Sequence, residues 1–138
     1  MTRSAARDLA FHLIFERAFR DESMEEIIAD AEEARAIEED EFAMALTNCV
    51  NDHLAEIDAE IDRYSEKWKV NRLPKVSLTV LRLAIGEMLY FRDIPVAATI
   101  NEAVELAKKF HVNLEVLSSY ERKPGTKVKE VTKKVEKT

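Results

Sequence analysis

Arg3 and Arg7 stand four residues apart in the opening segment Arg3-Ser-Ala-Ala-Arg7. On a helix, that spacing puts both side chains on one face. A guanidinium there can take a phosphate through two parallel hydrogen bonds or lie flat on an unpaired base. A helix N-terminus repels cations and attracts anions, so arginines at this end have a physical reason to be there when a phosphate shares the site. Taken alone, the pair is better explained as a solvated surface.

Other chemistries are poorly served. His12, His53 and His111 are solitary, none four residues from another histidine as a helical zinc site requires, and they are read as core or surface residues. Glu38-Glu-Asp-Glu41 splays around a helix start, where it gains more from the helix dipole than from a cation that needs converging ligands. Nothing pairs a nucleophile with a base. Gly86 and Gly125 are 39 residues apart, too sparse for a phosphate-cradling glycine loop. One cysteine, Cys49, allows no internal disulfide or cysteine zinc cage and suits a reducing compartment. The reading is of a non-enzyme without metal or cofactor. A charged start without a long apolar run predicts neither a signal peptide nor a membrane span, hence a cytoplasmic protein.

At 138 residues and 46% hydrophobic, the chain supports one domain with a real core. Its net charge of −6 is unevenly spread: residues 21–62 hold sixteen acids against one base, Arg35, while residues 1–20, 63–120 and 121–138 are each mildly basic. A polyanion can therefore approach only selected faces.

The elements that must position these groups are helical throughout. Ala6, Leu9, Ala10, Leu13, Ile14 and Ala18 predict a first helix over about 4–19. Ser23 with Glu26 predicts a capped second helix, with Met24, Ile27, Ile28 and Ala31 facing inward. Phe42, Leu46, Val50, Leu54, Ile57 and Ile61, at nearly constant four-residue spacing, predict one long central helix from near Glu38 to Tyr64. Pro74 breaks the chain before a helix over about 75–91, in which Gly86 is tolerated only if packing compensates. After the turn Asp93-Ile-Pro95, Thr99 and Glu102 predict a capping box for a last helix to Phe110. The fold class is an all-α bundle. Residues 112–120 give a weaker signal, and the lysine-rich 121–138 reads as a solvated flexible tail or a basic arm.

Residues 72–110 carry a longer signature: Val80-Leu-Arg-Leu-Ala through Glu87, the Asp-Ile-Pro turn, and Ile100-Asn-Glu-Ala-Val-Glu-Leu-Ala-Lys-Lys-Phe110. With Ala6-Arg7-Asp8-Leu9-Ala10-Phe11-His12, this resembles the NusB family of transcription antitermination factors over about residues 3–110. The resemblance implies one domain over 1–120, built of two packed helical halves, about 1–66 and 67–120. It implies single-stranded boxA-type RNA and the ribosomal protein NusE as partners, within the RNA polymerase antitermination complex that serves ribosomal RNA synthesis.

Residue by residue, the resemblance carries RNA binding to Arg3, Ser4 and Arg7, and to Phe15, where a tyrosine is usual and the stacking face survives without the hydroxyl. It carries the protein-partner interface to Ser77, where the family usually has Asp or Glu. His111 replaces a usual glycine, and nothing after it reproduces the family's closing helix. Leu114, Val116, Leu117 and Tyr120 are the apolar substitutes, which predicts a partly exposed apolar groove or a homodimer that covers it. The competing reading is a protein-interaction module of the same fold that has lost RNA binding. A third is a detached equivalent of the NusB-like domain fused to some ribosomal RNA methyltransferases, serving a separate enzyme.

Overall fold

The computed structural model describes residues 1–64 and 69–110. They form six helices and no strand: α1 (Arg3–Arg17), α2 (Met24–Arg35), α3 (Glu41–Asp52), α4 (Leu54–Tyr64), α5 (Lys75–Tyr90) and α6 (Val96–Lys109), with a 3₁₀ turn at Val70–Arg72. Three helices start on side-chain caps. Thr2, Ser23 and Asp40 accept from the amides of Ala5, Glu26 and Ala43 at 3.1, 3.2 and 2.9 Å, satisfying donors that a helix start leaves free. Asp40, one of the acids weighed as a cation ligand, is thus employed as a cap. Helices α5 and α6 instead follow Pro74 and Pro95. Thr99 is therefore no cap: it lies within α6, buried, with its hydroxyl turned inward.

The long helix expected over 38–64 is two helices. At His53 (φ −115°, ψ 23°) the chain leaves helical geometry, and its imidazole Nδ1 lies 2.8 Å from the Cys49 carbonyl. Asn51, Asp52 and His53 are weak helix formers, and their side chains compete for backbone groups. The bend lets α3 and α4 both close on α5 at one point. A Cβ placed on Gly86 would meet Val50 Cγ2 at 2.7 Å and Ile57 Cδ1 at 3.2 Å, so the absent side chain admits both helices. Packing compensates for the glycine as the sequence required. Helix α2 ends on Ala36 in the left-handed region (φ 48°), where glycine is usual and alanine costs about 1–2 kcal/mol.

The central element is α5, which packs against α1, α3, α4 and α6. Leu78, Leu81 and Ile85 are fully buried in a core shared with Leu13, Ile27, Leu46, Val50 and Ile57. Helix α1 touches α2, α3, α5 and α6, so it ties together elements from both expected halves. The division near residue 66, the closing segment 111–120 with His111 and its groove, and the basic tail 121–138 lie outside the described residues. Among the described residues, no helix is long and apolar enough to cross a membrane.

Candidate nucleic-acid interface

Arg3 is exposed in the first turn of α1, and its guanidinium carbon lies 3.9 Å from the centroid of the Phe42 ring at the start of α3. That separation is a cation–π contact. Phe42 is held from behind by the edge of Phe91, 5.8 Å away at 75°. A cleft of about 500 Å³ opens here, lined by Met1, Thr2, Arg3, Phe42, Asp93 and Ile94 among others. Asp40 and Glu41 also line it, so the rim mixes signs; the terminal amine is 3.8 Å from Asp40.

Arg7 does not share that exposure. It is 5% exposed, and its fork closes on Glu87 of α5, with Nε donating to Oε2 at 2.8 Å and Nη2 to Oε1 at 2.6 Å. Thr99 of α6 donates to the same Oε1 at 2.7 Å. Burial pulls the Arg7 pKa down, but the hydrogen bond and charge of Glu87, helped by Glu102, outweigh it and leave the pKa raised. The sequence expectation places Arg7 on RNA, whereas here its bidentate donors are directed at Glu87 inside the protein. Its guanidinium also lies 5.3 Å from the Phe42 ring, so the buried pair braces the aromatic plate on which Arg3 rests.

Ser4 faces α6 and donates to Glu102 at 2.8 Å. The adjoining recess is lined by Asp8, Glu105 and Lys109 as well, and Lys109 pairs with Asp8 at 2.8 Å. Phe15 is half-buried further along α1, parallel to Phe11 at 5.9 Å and edge-on to Phe19 at 5.0 Å. Phe11 stacks on Phe110 at 4.3 Å. This aromatic row ends in Phe19, 63% exposed. Ser77, expected at the protein-partner interface, is 1% exposed here, on α5 among the helices packed around it.

Sequence reasoning missed Phe42, Glu87 and Thr99. Phe42 was indistinguishable from any other core position. Thr99 read as a helix cap, and Glu87 had a signal. Glu87 is a lone acid within the apolar stripe of α5, and Arg7 sits on the stripe of Ala6, Ala10 and Ile14; two opposite charges at core positions require each other. Among the described residues, no three His, Cys, Asp or Glu side chains converge as metal ligands.

Residues 4–115 match the NusB family profile. The chain belongs to the NusB family. It is 43% identical over 115 residues to the transcription antitermination protein NusB of Natranaerobius thermophilus, covering 80% of this chain and 83% of that one. It is 40% identical over 114 residues to the NusB of Agathobacter rectalis, covering 80% and 87%. The solved T. maritima NusB superposes with a TM-score of 0.76 at 30% identity, over 99% of this chain and 92% of that one. The fold is also that of a solved complex of antitermination factors NusB and NusE with double-stranded RNA, at a TM-score of 0.75 and 24% identity, covering 98% of this chain and 96% of that one.

Proposed function

We propose that this NusB-family chain is a non-catalytic RNA-binding adaptor in transcription antitermination and ribosomal RNA synthesis, holding single-stranded boxA-type RNA together with NusE. The observation that carries the reading is Arg3, exposed on the Phe42 ring at the mouth of an open cleft. A cation on an aromatic plate can take a phosphate with its edge while a base stacks beside it. Phe15 on α1, about 18 Å along the axis from Arg3 and about 120° round it, and exposed Phe19 just past the helix end offer a second stacking surface. Ser4 borders Arg3. The names of the relatives support the role, and a fold shared with a NusB–NusE–RNA complex supports the partners.

The test is fluorescence anisotropy with labelled boxA-type RNA, with and without NusE. Weak binding by the chain alone, tightened by NusE and lowered by salt, is expected. A second reading has its own support: Arg7 is withdrawn and Ser4 lies among carboxylates, which favours a protein-interaction module without RNA binding. No RNA binding in either titration, with NusE still bound, selects it.

A further inference from the structure

A second cleft lies across α1 from Phe15. Positions 15 and 17 are two residues apart and leave the helix roughly 200° from each other. Arg17 lines a recess of about 210 Å³ with Asn51, Lys75 and Arg82. At about 30 Å³ per water, that is space for about seven molecules. Ile14 and Met24 form part of an apolar wall. Three cationic side chains and no carboxylate line it, although residues 21–62, which contribute Met24, Asn51 and Leu54, are overwhelmingly acidic.

These cations are unequally satisfied. Arg82 is forked onto Asp58, at 2.9 and 2.8 Å. Lys75 is exposed and has no ion pair among the described residues. Arg17 gives Nη1 to the carbonyl of Arg20 at 2.8 Å, but its Nε is buried without any acceptor, the one side-chain nitrogen or oxygen so placed among the described residues. A buried donor without a partner costs free energy that a small rotation toward an oxyanion in the recess recovers. A phosphate offers adjacent oxygens to an arginine fork and a third to an ammonium, a geometric match that a spherical chloride lacks. The first turn of α5, begun without a side-chain cap, favours the same charge.

We propose that this recess binds a phosphate group, in the size class from inorganic phosphate to a mononucleotide, across α1 from Phe15 and about 21 Å along the helix axis from Arg3. Arg17 and Lys75 are its principal donors, Arg82 supplies field while held by Asp58, and the apolar wall accommodates whatever carries the phosphate.

Inorganic phosphate and adenosine monophosphate are titrated separately into the full chain at constant ionic strength, with backbone amide shifts read by NMR. Saturable shifts centred on Arg17, Asn51 and Lys75 are expected. Arg17→Gln and Lys75→Gln should each weaken binding about ten-fold or more, as loss of a charge-assisted hydrogen bond does, while Arg3→Ala leaves it unchanged. Tighter binding of the nucleotide identifies a nucleotide ligand, and equal binding identifies the phosphate alone; both uphold the site. Boxa-type RNA should leave the phosphate affinity unaltered. Absence of saturation, shifts centred on Arg3 and Phe42, indifference to both recess variants, or competition by RNA overturns the proposal. Lys75 is exposed, so its variant reads out even if Arg17→Gln disturbs folding.

Discussion

Arg7 on α1 and Glu87 on α5, 80 residues apart in sequence, form a two-pronged buried ion pair at 2.8 and 2.6 Å, and Thr99 of α6 supplies a third donor to the carboxylate. The pair joins the helix that carries Arg3 to the central helix and to α6. Each charge is tolerable only because the other is present.

Removing one partner should therefore cost more than removing both. Arg7→Met leaves Glu87 buried and unpaired and is expected to lose about 3–5 kcal/mol in urea denaturation. Arg7→Met combined with Glu87→Leu should recover much of that loss, with Thr99 left as a neutral hydroxyl. Additive losses in the double variant would show that the two side chains act independently.

Arg3 is the cation assigned here to phosphate contact. Arg3→Ala should weaken boxA-type RNA binding and reduce the steepness of log affinity against log salt by about 0.7, the value of one phosphate contact on a single strand. Anisotropy titrations across a potassium chloride series measure this. An unaltered slope removes Arg3 from the interface.

Gly86→Ala tests the meeting of α3, α4 and α5. Helix propensity favours alanine by about 1 kcal/mol, but the added Cβ falls 2.7 Å from Val50 Cγ2, and overpacking of a filled core costs about 1–3 kcal/mol. The substitution should be neutral to destabilising by up to about 2 kcal/mol, and Val50→Ala should be less harmful beside it than alone. A Gly86→Ala protein that melts well above the parent would mean that the three helices have slack there.

Cys49 tests the environment of the α3–α4 bend. Burial, and secondarily the charge of Asp52, raise its thiol pKa above the ordinary 9.0. Iodoacetamide should react slowly at neutral pH, with a rate that rises through and beyond pH 9, and Asp52→Asn should shift the profile slightly downward. The folded thiolate is disfavoured relative to the unfolded one, so alkaline conditions above the ordinary thiol range should also weaken the fold. A rate profile with its midpoint below 9.0 contradicts this picture.

The all-α class, the Ser23 cap and the proline-led start of α5 were legible because each depends on neighbours within one or two helical turns, whereas Thr99 mimicked a cap inside α6, which starts after Pro95. The break at His53 was not, since Phe42, Leu46, Val50, Leu54, Ile57 and Ile61 keep a helical spacing straight through it, and the bend is stabilised by a fit against Gly86 that no local pattern encodes.

Within α1, the sequence by itself placed Arg3 and Arg7 on a common side of one helix. Only the tertiary structure gave them different tasks, because burial depends on what stands opposite: Glu87 and Thr99 close over Arg7, while Arg3, one turn earlier, reaches past the end of α5 and rests on Phe42. Periodicity reports the direction in which a side chain points along its own helix. Whether it then meets a carboxylate, an aromatic ring or water is set by helices distant in sequence.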